Sequence, residues 1–369
     1  MLSVPPDAGS AVTTAAIPVI SSPNALRRVL LVKLSSLGDV VHALPLAEAL
    51  RAGLGPSVEI VWAVRDKFAD LLTGNPNVSS VYTLTGTGPQ DLLGFGKLLR
   101  QGNLPFDVAL DAQGLLVSGI VTRLSGARRR VGFDLNREGN TLFLNHPVVP
   151  AKQRIHMVDK LMGFCDALGI PRVAPKPQRY LADGQKPAAQ TLLAQAVGSG
   201  PVVGCIVGAS TPEKTWPVER WAALAGLLKA RGARVVLLGG PAEAETAKRI
   251  MEAAQGAVAA NLVGQTPLTT LASVMAQTEV VVGGDSGPTH LAVGVGTPVV
   301  GLYGVTDPVR TGPQWGPAPT VTLDFAESDA PPEARRARHP TVGDALARIP
   351  AEAVAEAVQT LLRRETVSI

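Results

Sequence analysis

The chain has 369 residues, enough for two domains of ordinary size with substantial buried cores. Its composition is globular, with 46% hydrophobic and 17% charged residues, and no charge-free apolar run of about twenty residues is present to cross a bilayer as a helix. A net charge of +4 permits anionic partners without requiring nucleic acid, and two distant cysteines, Cys165 and Cys205, indicate neither a disulfide framework nor a zinc site, so a reduced cytoplasmic setting is expected.

Residues 1–27 lack a charged start followed by a continuous apolar run, and prolines interrupt them, so they read as a flexible leader rather than a signal peptide. The fold is predicted to begin at Arg28. Val29 to Val32 is a short strand buried on both faces, and it runs through Lys33-Leu34-Ser35-Ser36-Leu37-Gly38-Asp39 into an Ala/Leu-rich helix ending near Leu50. Strands over Val58–Val64, Val78–Leu84 and Val108–Leu110 then alternate with helices over Lys67–Leu72, Asp91–Arg100 and Leu115–Leu124. The third of these strands ends in Asp111-Ala112-Gln113-Gly114.

Between Ser125 and Arg179 the alternation weakens, and Arg128, Arg129, Arg130, Arg137, Lys152, Arg154, His156 and Lys160 accumulate. Two readings stand for this segment, an ordinary solvated face or a wall that meets an anionic substrate. Pro171 to Pro187 is rich in proline and polar residues and marks the connection between domains. The expected boundaries are 28–180 for the first domain, 181–197 for the linker and 198–345 for the second domain, with a C-terminal helical segment over 346–369. In the second half the pattern restarts: strand Val202–Val207, loop Gly208 to Lys214, helix Pro217–Ala230, strand Val235–Leu238, turn Gly239-Gly240-Pro241 and helix Ala242–Ala254. Glu327 to Arg338 reads as a charged surface loop, and Ala351 to Arg364 as an amphipathic helix. The fold class is therefore α/β, two Rossmann-like doubly wound domains facing a central cleft.

The stretch from Glu279 to Arg310 carries the densest chemistry. A Val-rich strand breaks at Gly283-Gly284 into Asp285-Ser286-Gly287-Pro288 and an apolar helix. Ser286 fits the N-cap and Pro288 the first turn, so free amides and the positive end of the helix dipole coincide there, a setting that attracts phosphate. His290 lies one turn further on. Locally, Asp285 and Ser286 serve equally well as simple caps. Neither half holds a GxGxxG fingerprint, which argues against a nicotinamide or flavin enzyme, and no cofactor is expected. No DxD-like acidic pair is placed to hold a divalent ion, so cations and helix termini are expected to meet any diphosphate.

Five motifs in register resemble the glycosyltransferase family that contains the lipopolysaccharide heptosyltransferases, nearest to heptosyltransferase I. They are Val32 to Pro45, Asp111 to Leu115, Lys214 to Trp221, Asp285 to Ala292 and Tyr303 to Pro308, and the likeness covers nearly the whole chain from Arg28. The resemblance implies the GT-B architecture, a nucleotide-activated sugar donor, inversion at the anomeric centre and no bound metal. It makes Asp39, the aspartate of the Gly-Asp-Val segment, the base that takes the acceptor's proton, although a helix cap is the plain alternative. Ser210, Lys214, Glu243, Asp285, Ser286, Gly287 and His290 fall on the donor side, with Glu243 set to meet the ribose hydroxyls or merely to offset its helix dipole. Ser36, His42, Asp111, Gln113, Arg128, Arg137 and Arg154 fall on the acceptor side, with His42 orienting Asp39 or a substrate, or else packed, and with Asp111 alternatively only ending its strand.

One departure stands out: Val117 occupies a position where heptosyltransferase I has a lysine after the Asp-Ala-Gln-Gly segment, which leaves the basic residues of 128–154 to meet the acceptor's acidic groups. The expected partners are ADP-heptose and a lipid A-Kdo acceptor, met by a monomer in peripheral contact with the cytoplasmic face of the inner membrane. Rival readings are a family member with another sugar nucleotide or acceptor, and a non-catalytic nucleotide-sugar-binding protein.

Overall fold

A computed structural model of the chain describes residues 23–102, 104–135, 138–149, 155–325, 334–335, 338 and 344–365. The first sheet comprises β1 (Arg28–Val32), β2 (Glu59–Arg65), β3 (Ser80–Leu84), β4 (Val108–Asp111), β5 (Arg129–Phe133) and β6 (His146–Val149). The second comprises β7 (Val202–Ile206), β8 (Arg234–Leu238), β9 (Val258–Asn261), β10 (Val280–Gly284), β11 (Val299–Tyr303) and β12 (Thr320–Asp324). Every pairing is parallel. The spatial orders, β3-β2-β1-β4-β5-β6 and β9-β8-β7-β10-β11-β12, repeat one winding in both halves. In each, the order reverses between the first and fourth strands, and the crevice at their carboxyl ends is where such sheets take ligands.

Helices cover both faces, which is why the central strands are apolar without alternation. The first half carries α1 (Leu37–His42), α2 (Leu44–Leu54), α3 (Pro89–Leu99), α4 (Leu116–Leu124) and α5 (Met157–Leu168). Val29 and Leu31 of β1 face a core shared with Leu46 and Leu50 of α2 and Phe164 of α5, and that same core continues to Val281 of β10. Leu30 and Val32 face the other way, onto Phe95 and Leu99 of α3. Apolar packing thus runs unbroken from one sheet to the other.

The second half adds α8 (Val218–Ala230), α9 (Ala244–Ala253), α10 (Leu268–Met275), α11 (Gly287–Val295), α12 (Pro308–Thr311) and α13 (Ala351–Glu365). Val354 and Val358 of α13 pack with Trp221 and Leu224 of α8, as the apolar face of that helix demands.

Several expectations need correction. The segment 125–179 is regular after all, since β5, β6 and α5 lie within it. The stretch expected as a linker, 181–197, holds most of α6 (Tyr180–Asp183) and all of α7 (Lys186–Leu193), while 170–178 has no regular structure. Residues 1–22 of the expected leader lie outside the described residues, but Pro23–Ala25 forms a helical turn and Leu26 is buried, so order begins before Arg28. Most of the expected loop 327–338 also lies outside the described residues. Its Arg335 is not a surface residue: it is buried, and Nη1 meets Asp324 Oδ2 at 3.1 Å. Cys165 and Cys205 are free and buried, and burial pushes both thiols up to about 12.

Candidate active site

Loops at the carboxyl ends of β1, β7, β8 and β10 converge between the halves. They border a cavity of about 460 Å³, lined by Ser36, Gly38, Asp39 and His42 from the first half and by Ser210, Lys214, Glu243, Asp285, Ser286, Gly287 and His290 from the second. A neighbouring pocket of about 190 Å³ lies within the first half, between Lys33, Gln113, Gly114, Phe133 and Lys160. Asp39 and Met157 border both.

Asp39 sits in the first turn of α1, where a carboxylate meets unpaired amides. Its Oδ2 accepts from Ser36 N at 3.1 Å and Ser36 Oγ at 2.8 Å, and its Oδ1 from Lys33 Nζ at 3.3 Å. Burial alone would push this carboxyl up. The Lys33 ammonium and the Ser36 bonds outweigh that and hold it below the usual carboxylate value, so Asp39 is ionised at neutral pH. The helix-cap reading and an accessible carboxylate are both realised in one residue.

On the opposite wall, Lys214 Nζ lies 2.8 Å from Asp285 Oδ2, and His290 Nε2–H donates to Asp285 Oδ1 at 3.1 Å. Burial would again raise the carboxyl, but the His290 bond and the Lys214 charge hold it far below the usual range. Asp285 therefore lines the cavity as an anchor whose two oxygens are already engaged. Ser286 does not cap α11 through its side chain: Thr289 Oγ1 donates to Gly284 O at 2.7 Å, and Ser286 Oγ donates to Thr289 Oγ1 at 3.0 Å. The first intrahelical bond of α11 runs from His290 N to Ser286 O, so the Gly287 amide precedes the ladder and stays available to an anion.

The two walls meet through glycines. A Cβ on Gly287 would sit 2.7 Å from Leu37, and one on Gly38 would sit 2.8 Å from the His290 ring, so α1 and α11 approach this closely only without side chains there. Behind them His42 is buried, its ring 4.2 Å from that of His290, 5.6 Å from Trp315 and 5.7 Å from His156. Burial, with His290 and His156 nearby, holds its pKa well below 6.5. His156 caps α5, Nδ1 accepting from Val158 N, so Nε2–H donates across the halves to Gly312 O at 3.0 Å.

Other expected residues fare differently. His42 makes no bond to Asp39, so the orienting role is replaced by packing between the halves. Asp111 is fully buried; Oδ1 takes the amides of Gln113 and Gly114 at 3.2 and 2.9 Å, so it shapes the turn rather than facing an acceptor. Gln113 Oε1 accepts from Leu34 N and Ser35 N, both at 3.2 Å, which ties the β4 turn to the β1 turn and leaves the side chain on the smaller pocket. Glu243 Oε2 accepts from Gly240 N at 2.7 Å, the dipole-offsetting alternative, while still lining the large cavity. Ser210 is exposed at its rim.

Arg128 is a correction. It precedes β5, with its amide bonded to Phe106 O, and so lies at the amino edge of the sheet, opposite the end that carries Asp111. Arg137 and Arg154 lie outside the described residues. Lys33 and Lys160 are the cations that border the small pocket instead. Lys160 belongs to the basic cluster visible in the sequence, whereas Lys33, the residue after β1, carries no local sign of facing this pocket. Among the described residues, no group of three or more His, Cys, Asp or Glu is arranged to hold a metal ion.

The model of the family described as glycosyltransferase family 9 (heptosyltransferase) matches residues 93–338. The chain is also 32% identical to lipopolysaccharide heptosyltransferase 1 of Escherichia coli K12 over 297 residues, covering 76% of this chain and 89% of that one. The chain belongs to glycosyltransferase family 9. A second relative, the lipopolysaccharide core heptosyltransferase OpsX of Haemophilus influenzae, is 29% identical over 77% of this chain and 80% of its own. Among solved structures, the E. coli heptosyltransferase WaaC with ADP-2-deoxy-2-fluoro heptose superposes with a TM-score of 0.67 at 28% identity, covering 90% of this chain and 99% of that chain. The twin sheets are thus the GT-B fold, and this family 9 chain is a glycosyltransferase of the lipopolysaccharide heptosyltransferase family.

Proposed function

We propose that this chain transfers heptose from ADP-L-glycero-D-manno-heptose to the Kdo of a lipid A core precursor, with inversion and without a bound metal ion. The observation that carries the reading is the position of Asp39 on the border between the two pockets, one rich in donor-type groups and one lined by lysines. The nucleotide sugar takes the large cavity, its diphosphate against Lys214 and the Gly287 amide. The acceptor takes the small pocket. Its hydroxyl oxygen forms the bond to the anomeric carbon while the bond to the diphosphate breaks; the proton goes to Asp39 and the electron pair leaves with ADP. Attack from the side opposite the diphosphate inverts the centre.

The ADP-heptose analogue held by WaaC supports the donor, the names of both relatives support a lipopolysaccharide acceptor, and that of OpsX supports its core. Among the described residues no helix is long and apolar enough to cross a membrane. In this reading a monomer meets the lipid-linked acceptor from a peripheral position on the cytoplasmic face. Purified protein given ADP-heptose and Kdo-lipid A should add the mass of one heptose. Transfer from a GDP- or UDP-sugar in place of ADP-heptose would overturn the donor assignment.

A further inference from the structure

Lys33 directly follows β1, its side chain is only 3% exposed, and its Nζ stands 3.3 Å from Asp39 Oδ1. A buried ammonium requires a counter-charge, and Asp39 provides one. For a base this is a handicap, because a carboxylate already accepting from Lys33 Nζ and from both Ser36 donors has little pull on a further proton. The small pocket supplies the way out. Lys33 lines it, Asp39 borders it, and an anion entering it meets the same ammonium that Asp39 holds.

We infer that Lys33 is a positioning residue shared between Asp39 and a carboxylate of the acceptor sugar. With the small pocket empty, the ammonium neutralises Asp39 and keeps its carboxylate in place. When the acceptor enters, its carboxylate draws the ammonium away, and Asp39 becomes a stronger proton acceptor only once a hydroxyl is there to be deprotonated. The acceptor's hydroxyl proton passes to Asp39, and Lys33 stays protonated throughout. Other ionisable groups around the pair are Asp111 at the end of β4, Lys160 on α5, His42 on α1 and, across the cleft, Lys214, Asp285 and His290. Of these, Lys160 borders the small pocket and supplies a fixed second charge for the acceptor.

The inference rests on Asp39 being the base and on an acidic acceptor. Its test is the pH dependence of transfer at saturating donor. The acid limb of kcat/KM for the acceptor reports Asp39 before the acceptor binds, and that of kcat reports it in the ternary complex. In the wild type the kcat limb should lie above the kcat/KM limb by about one pH unit. With an acceptor whose Kdo carboxylate is a methyl ester, the two limbs of the same wild-type protein should coincide. Lys33→Met should merge the limbs for the acidic acceptor too and raise its KM roughly tenfold or more, with ADP binding unchanged within about twofold. Lys33→Arg should restore the separation.

Coincident limbs in the wild type with the acidic acceptor, or limbs in Lys33→Met that match the wild type, overturn the inference. The ester comparison needs no variant, so it decides the matter even if Lys33→Met folds poorly. Undiminished transfer by Asp39→Asn would instead overturn the base assignment itself, which separates the two failures.

Discussion

Each half of the molecule presents one lysine–aspartate pair at the cleft, and the two pairs are inverted. In the first half Lys33 is 3% exposed and Asp39 33%; in the second Lys214 is 14% exposed and Asp285 8%. The first pair lies wholly on the connection after β1, whereas the second joins the loop after β7 to the turn after β10, and both stand beyond the carboxyl ends of the central strands. One half therefore offers the cleft a carboxylate backed by a hidden cation, and the other a cation backed by a hidden carboxylate. A transfer reaction with a proton to remove on one side and a diphosphate to release on the other calls for this opposition of charge. The same pairing chemistry yields opposite roles because burial chooses which partner is seen.

The sharpest break in that comparison is Asp39→Asn, which keeps the side-chain shape and removes the proton acceptor. Turnover should fall on the order of 10²- to 10⁴-fold, while calorimetry finds ADP bound as tightly as before. Lys214→Met strikes the other pair. ADP affinity should drop by about 1.5–3 kcal/mol, roughly tenfold to a hundredfold, as expected for a lost charge-assisted contact; unchanged ADP binding would remove Lys214 from the diphosphate site.

Between the pairs, His42 and His156 are both held below their usual value of 6.5, chiefly by burial. The unfolded chain then takes up protons that the folded chain refuses. Stability should be complete above about pH 6.5 and fall as the pH drops below it, with a slope of at most about 1.4 kcal/mol per pH unit for each imidazole. Urea denaturation of His42→Phe at pH 7 and pH 5 should show a shallower loss than the wild type. The smallest effect belongs to Arg128→Ala, at the amino edge of the first sheet, where acceptor KM should stay within about twofold and stability within about 0.5 kcal/mol.

Much of this was legible in the sequence. Short Val-rich runs ending in small-residue loops marked the central strands, and Asp39, Lys214, Asp285 and Gly287 all line the cavity they were expected to share. The region 125–179 was harder. Its β5 opens with two arginines and its β6 has only four residues, one of them Pro147, so neither shows the apolar run that marks a buried strand. Arg128 drew attention as a charge in a basic cluster, but the direction of β5 turns it away from the cleft. His156 acts through Gly312, a partner 156 residues distant that no local pattern announces.

The sequence by itself determined most strands and helices outside 125–197, the loops that carry the chemistry, and the family, because these follow from periodicity and from residue types at fixed spacing. Only the tertiary structure decided which member of each Lys–Asp pair faces the ligand and how α1 and α11 close on one another through Gly38 and Gly287. Exposure and close approach depend on what other segments cover, and a residue's own neighbours in the chain do not record that.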